Sequence, residues 1–265
     1  MAGHAVRLLD EQDTPIAYRL SCEAGWNQTE NDWRMLLRLS PENCFGIDAD
    51  GRLVATATLI CYGKQLAWIG MVLTHRAYQR RGFARTLLQS TIDRADELGI
   101  ESLKLDATDQ GQPLYQTLGF RAEQPIERWW RAAGGSVSGA SLRLANLSSL
   151  DDEAYAADRS CLLHALAERG PVYAGAGGFC LSRPGRRANY IGPCISQTPE
   201  IARCAIESLA SEESFWDLLP ENSNALAIAK ELGFTPQRKL IRMVRGRDLR
   251  GREDWIYAIA GFELG

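Results

Sequence analysis

The 265-residue sequence is short of the features that mark several large protein classes. No apolar run approaches the ~18 residues of a membrane-spanning helix, and Met1–Asp10 carries too few apolar residues for a signal peptide. A soluble, cytoplasmic protein with no membrane partner is expected. Histidine is scarce, at three residues, and the seven cysteines are scattered, with no Cys-x-x-Cys or Cys/His cluster. That pattern argues against a disulfide framework and a zinc site, so no metal is expected. The cysteines read instead as buried apolar thiols in a reducing compartment. Long basic blocks are missing and the net charge is -3, so nothing marks a nucleic-acid-binding face. A P-loop needs Gly-x-x-x-x-Gly-Lys-Ser/Thr, and a dinucleotide fold needs three closely spaced glycines; neither occurs.

What is there suits a globular protein: 45% hydrophobic and 24% charged residues, in a length comfortable for two domains of about 130 residues each. Residues 132–140 (Ala-Ala-Gly-Gly-Ser-Val-Ser-Gly-Ala) read as a linker, which gives domains at 1–131 and 141–265. In the first, strands are expected at Val6–Leu9, Cys44–Ile47, Leu53–Cys61, Leu66–Thr74, Leu103–Ala107 and Phe120–Arg131. Asp50-Gly51 is a hairpin signal and Thr29-x-x-Asp32 a helix cap. Arg81–Leu98 has helical spacing and stops at Gly99; Pro113–Leu118 is a short helix. The second domain repeats the order, with a strand at Leu142–Ala145, one helical region at Asp151–Arg169, strands at Val172–Leu181 and Ala188–Ser196, and a helix at Pro199–Ala210. Strand, helix and strand follow at Phe215–Leu219, Asn224–Leu232 and Phe234–Val244, then a buried tail at Trp255–Phe262. Leu118-Gly119-Phe120 and Leu232-Gly233-Phe234 lie 114 residues apart, each between a short helix and a strand. Duplication explains that echo.

The informative block is the strand Leu66–Thr74, then Gln79-Arg80-Arg81-Gly82-Phe83-Ala84, then an amphipathic helix. The glycine allows close backbone approach. The first-turn N–H groups of a helix lack intrahelical partners and, with the dipole, form an anion site. Arg80, Arg81 and Arg85 add charge for a pyrophosphate-sized ligand. Taken alone, the segment also describes a helix N-terminus decorated with solvated arginines. The block Leu114-Tyr115-Gln116-Thr117-Leu118-Gly119-Phe120 shifts the balance.

Together, Gln/Arg-x-x-Gly-x-Gly/Ala at 79–84 and Leu-Tyr-x-x-Leu-Gly-Phe at 114–120 resemble the GCN5-related N-acetyltransferase (GNAT) family. The resemblance covers most of residues 1–131 in element order and is specific over 66–120. It implies an α/β (α+β) fold: two tandem GNAT-like domains, each a mixed, mostly antiparallel sheet flanked by helices. It further implies that the backbone of Val72, Leu73 and Thr74 holds the pantetheine arm and thioester of acetyl-CoA, that Arg80, Arg81, Gly82, Phe83, Ala84 and Arg85 cradle the pyrophosphate, and that Tyr115 protonates the leaving thiolate. The reaction implied is acetyl transfer to a primary amine of a small molecule or protein by direct attack on the thioester. A non-catalytic acyl-CoA-binding regulator, and an acyltransferase with another acyl donor or a hydroxyl acceptor, stay open.

Two departures matter. Thr108 stands where the family often has asparagine, and no glutamate occupies Ala67–Thr74, where a base is sometimes found. Asp106 is the leading candidate base and His75 the second. Trp26, Asn27 and Trp129, with Trp33 and Trp130, fall where the family builds its acceptor pocket, although each tryptophan equally suits helix-on-sheet packing. In the second domain Ala229 aligns with Tyr115, and Ser196-Gln197-Thr198-Pro199-Glu200 with the phosphate loop. Glu200 can occupy the helix N-terminus as a phosphate would, whereas Asn222 matches the family asparagine. The second domain therefore reads as a non-catalytic relative that completes the acceptor pocket or stabilises the pair. A homodimer is compatible with all of this.

Overall fold

A computed structural model describes residues 5–133, 147–210 and 212–265. Residues 134–140 of the expected linker and the strand expected at Leu142–Ala145 lie outside the described residues. The first segment runs β1 (Val6–Leu8), α1 (Thr14–Glu23), α2 (Glu30–Leu39), β2 (Cys44–Ala49), β3 (Arg52–Tyr62), β4 (Leu66–Thr74), α3 (Phe83–Glu97), β5 (Ser102–Ala107), α4 (Gln112–Thr117) and β6 (Arg121–Arg131). The second runs α5 (Leu147–Tyr155), α6 (Ser160–Ala167), β7 (Val172–Gly175), β8 (Gly178–Arg183), β9 (Asn189–Ser196), α7 (Pro199–Leu209), β10 (Ser214–Leu218), α8 (Ser223–Glu231), β11 (Thr235–Gly246) and β12 (Ile256–Ala258).

Local chemistry sets these boundaries. Thr29 and Asp32 form a reciprocal capping box on α2, with Asp32 N donating to Thr29 Oγ1 at 3.2 Å and Thr29 N to Asp32 Oδ2 at 2.6 Å. The β2–β3 hairpin turns through Asp50 and Gly51, both at positive φ (51° and 72°). Three expectations differ. Asp151–Arg169 is two helices: Ala156 takes φ 54°, and Arg159 turns inward to grip Asp151 through two hydrogen bonds of 2.7 and 2.9 Å. Val172–Leu181 is a hairpin, because Gly177 at φ 84° lets the chain reverse between β7 and β8. Cys161 and Cys204 are exposed, not buried, while Cys44, Cys180 and Cys194 are in the core.

All the described strands join one twelve-stranded sheet, in the order β1-β2-β3-β4-β5-β11-β6-β10-β9-β8-β7, with β12 beside β9. The two segments thus exchange their last long strands. β11 lies against β5 with Arg242 opposite Asp106, and β6 lies against β10 with Trp129 opposite Trp216. Side chains alternate across such a sheet. One face packs on α1, α2, α5 and α6 through a core that includes Trp33, Trp68, Ile126 and Leu240. The other carries α3 over Ile69, Leu103 and Met243, and α7 and α8 over Trp129 and Trp216.

Candidate functional site

The site begins with a defect in β4. Leu73 lies opposite Thr56 and Gly70 opposite Thr58, so β4 carries one extra residue at 71–72, and Met71 sits at φ 50°. β4 and β5 pair in parallel only from Leu66–Trp68 with Ser102–Lys104. Beyond that point the strands diverge, and the edge of β4 that faces β5 has no strand partner. The gap opens into a cavity of about 740 Å³.

One end of the cavity is the start of α3. Gly82, at φ 90°, precedes the helix and has no side chain to cap it. No side chain caps the first turn, the position at which helix amides and the helix dipole favour an anion. A Cβ placed on Gly82 would meet nothing within 4 Å, so the space beside this backbone is free of protein atoms. Arg80, Gly82, Phe83, Ala84 and Arg85 line this end. Arg85 is steadied by a 2.8 Å hydrogen bond to Thr117, whereas Arg81 stacks over the Tyr78 ring at 5.0 Å and is not among the lining residues. These groups fit a pyrophosphate.

In the middle of the cavity are Val72, Thr74 and Tyr115. Leu73, one residue out of phase, points into the α1/α2 core instead. The Tyr115 ring sits edge-on to Phe120, with centroids 6.1 Å apart, and burial pushes the phenol up to about 12. It stays protonated across the physiological range and can serve as a proton donor.

The other predicted residues separate. Trp26 lines the cavity. Asn27 does not: it is buried as a clamp on the turn before β9, donating to Ala188 O at 2.9 Å and accepting from the N–H groups of Arg187 and Ala188. Trp129 packs among α7 and α8 on the opposite face of the sheet, because it is one position out of phase with Arg128, which lines the cavity. Asp106 also lines it, but Arg242 holds both carboxylate oxygens, at 3.0 and 3.2 Å. Both oxygens thus accept from the guanidinium, and the carboxylate is committed to an internal ion pair. His75 accepts from Ala77 N at 3.2 Å and is absent from the lining set.

The end away from α3 is built by the second segment. Arg238 and Leu240 of β11, with Phe262 and Glu263, complete the wall. The chain after β12 is tied to β3 and β4: Phe262 O accepts from Trp68 Nε1 at 3.0 Å, and Leu264 O accepts from Tyr62 Oη at 2.7 Å. Glu263 crosses Gly70 so closely that a Cβ there would lie 2.6 Å from Glu263 O. Its side chain is 4% exposed; Oε1 is 3.4 Å from Arg183, and Oε2 has no hydrogen-bond partner among the described residues. Burial holds this carboxyl above the ordinary range, against the pull of Arg183 and of hydrogen bonding from Gln28. Sequence reasoning missed Glu263. The available signal was a lone carboxylate in Gly261-Phe-Glu-Leu-Gly265, inside a tail expected to be buried, where a charge demands a reason.

A second cleft exists and is filled. β9 and β10 pair in parallel at Asn189–Ile191 and Ser214–Trp216, then diverge as β4 and β5 do. β12 fills that gap: Ile256 lies opposite Ile195 and Ala258 opposite Cys194, while Ile259 N donates to Asp217 O at 3.0 Å. Asn222 secures the insert by donating to Asp254 O and Ile256 O at 3.1 and 3.0 Å while capping α8. Thr198 caps α7 and Glu200 sits in its first turn, so that helix start is satisfied from within.

A bulged strand splayed from its parallel neighbour, with a glycine-led helix start at the mouth, defines a class of acyl-transfer folds. The chain belongs to the GNAT acetyltransferases: residues 7–120 match the model of the Acetyltransferase (GNAT) family, and residues 147–258 match that of an Acetyltransferase (GNAT) domain. It is 28% identical over 123 residues to the uncharacterized N-acetyltransferase YitH of Bacillus subtilis (strain 168), a match covering 46% of this chain and 42% of that protein. A putative acetyltransferase from Pyrococcus horikoshii shares the fold at TM-score 0.90 and 21% identity, over 100% of this chain and 97% of the other. A tandem GNAT protein from the clavulanic acid biosynthesis pathway aligns at TM-score 0.64 and 14% identity, over 91% and 98%. Among the described residues no helix is long and apolar enough to cross a membrane, and no cluster of three or more His, Cys, Asp or Glu residues could hold a metal.

Proposed function

We propose that the protein is an acetyl-CoA-dependent N-acetyltransferase that acetylates a primary amine in the cavity between β4 and β5. The observation that carries this reading is the coincidence, in one cavity, of an uncapped helix start, an unpaired strand edge, a protonated phenol and a buried carboxylate oxygen with no partner. Acetyl-CoA supplies an activated acyl carbon when bound, its pyrophosphate at Gly82–Arg85. Glu263 removes the proton that an ammonium must lose before its nitrogen can attack, and a pKa raised by burial makes it a stronger base than an exposed glutamate. Backbone N–H groups at the 71–72 bulge would stabilise the negative charge that grows on the carbonyl oxygen. Tyr115 donates its proton to the departing sulfur. The second segment supplies the base and part of the wall and does not bind a second CoA. A cytoplasmic setting accords with cysteines that are all free among the described residues.

The test is free-thiol release from acetyl-CoA in the presence of a broad panel of amines, peptides and aminoglycosides. Amine-dependent release, with acetylated product seen by mass spectrometry, is expected. Tight CoA binding without release from any acceptor would make the protein an acyl-CoA-binding regulator instead.

A further inference from the structure

On one side of β11 the side chains alternate as Arg238, Leu240 and Arg242, the first two lining the cavity, while Lys239 on the other side pairs with Glu127 at 3.2 Å. Two other arginines on this side of the sheet already have carboxylate partners. Arg242 is held by Asp106. Arg128 is gripped by Asp217 through two 2.7 Å hydrogen bonds, Tyr190 also donates to that carboxylate, and the Arg128 guanidinium lies 4.6 Å from the Phe262 ring centroid. Arg238 is different. It sits directly opposite Arg128 across the β6–β11 ladder, half-buried, with no hydrogen bond or ion pair among the described residues. Burial and the neighbouring Arg128 guanidinium both pull its pKa below the usual arginine range, the mark of a cation short of a counter-charge.

We infer that Arg238 is the anchor for a carboxylate on the acceptor, so that the substrate is an amino-acid-like molecule carrying both a primary amine and a carboxylate. The inference rests on the reading of this cavity as an amine-acetylation site. Its argument is complementarity. This end of the cavity offers one guanidinium without a partner and, from Glu263, one buried carboxylate oxygen without a partner. A zwitterion supplies the reverse pair: its ammonium seeks Glu263 and its carboxylate seeks Arg238. The planar guanidinium fork matches a carboxylate in a two-bond geometry that an ammonium side chain does not reproduce. Leu240, Phe262 and Trp26 between and beside them give an apolar wall for the body of the molecule.

The test measures binding to CoA-saturated protein, which does not require turnover. A panel of N-acetyl amino acids, each paired with its own C-terminal amide, is titrated into wild type, Arg238→Gln and Arg238→Lys. At least one acid is expected to bind about ten-fold or more tighter than its amide to wild type, a preference that falls to near unity in Arg238→Gln and is partly kept in Arg238→Lys. CoA affinity should be the same in all three. Equal binding of acids and amides across the panel, or a preference that survives Arg238→Gln, overturns the proposal. So does a loss of CoA affinity in Arg238→Gln, which would assign the residue to the donor. Acid-selective binding without thiol release from any amine would instead sink acetyl transfer and keep the carboxylate anchor. Turnover of amines without a carboxylate, and of no others, would do the reverse.

Discussion

The two clefts of this sheet start from the same geometry and end differently. In the first, β4 and β5 part after Trp68 and Lys104, and the gap stays open beside an uncapped α3. In the second, β9 and β10 part after Ile191 and Trp216, and β12 enters as a strand. Gly192 makes the insertion fit, since a Cβ there would lie 2.0 Å from Ile259 O. An unpaired strand edge costs free energy unless something bonds to it. One cleft leaves that bonding to a ligand; the other satisfies it with its own chain. Losing the arginines and the glycine at 196–200 is then of a piece with gaining β12. The same geometry is left open in one copy and filled in the other.

Four substitutions probe that division, the strongest first. Gly82→Glu should lower CoA affinity by about a hundred-fold or more, because a carboxylate would occupy the anion position and φ 90° disfavours any side chain. Calorimetric titration checks this, and wild type should saturate at one CoA per chain. A second equivalent would break the comparison. Glu263→Gln should reduce kcat by about 10²–10⁴-fold while leaving CoA affinity unchanged. The sign of the pH effect is fixed by burial: the working form is the carboxylate, so kcat/KM should fall as pH drops through a value above the ordinary glutamate range. That acidic limb should vanish in the variant. A limb that persists would assign the base elsewhere.

Tyr115→Phe should slow turnover by about 10–100-fold with CoA affinity within a factor of two. With the phenol near 12, no loss of rate from its ionisation is expected as pH rises from 7 to 10. Unchanged kcat would reduce Tyr115 to a packing role. Asn222→Ala addresses the other cleft. It removes a helix cap and the two donors that hold β12, and should cost about 1–3 kcal/mol. Thermal unfolding should register that loss while CoA affinity stays the same; a new CoA site would show that β12 was blocking one.

Much of this was legible in the sequence. Gly99, Asp50-Gly51 and the Thr29/Asp32 box are local signals, and local signals placed β2–β5 and α2–α4 within a few residues. The phosphate-loop reading of Arg80–Ala84 drew on a strand, a glycine and a helix in series, together with the Leu114–Phe120 block. Strand exchange left no such trace, because period-two patterning says which face of β11 is buried and is silent about which strands flank it. The site residues divide the same way. Val72 and Tyr115 belong to local motifs. Asp106 was a reasonable base until Arg242, 136 positions away, closed on both its oxygens. Trp129 looked like a pocket wall, and a single step of phase puts it in the α7/α8 core. Glu263 and Arg238 reach the cavity only through long-range packing, so no window of sequence around β4 could name them.

The exchanged strands also set a timetable for synthesis. β5 cannot find its neighbour until β11 emerges, and Asp106 meets Arg242 only 136 residues later. At about 5–20 residues per second, the nascent first segment waits for roughly 7–27 seconds with β5 unpaired on one side. An open edge for that long invites pairing with other chains. This one carries Lys104 and Asp106, and its eventual neighbours bring Glu123 and Arg242, which close on them at 2.8 and 3.0 Å. Charges buried at that joint do little for the finished protein that apolar residues could not do. Before their partners arrive, the same charges disfavour pairing of this edge with a second chain, as gatekeeper residues do.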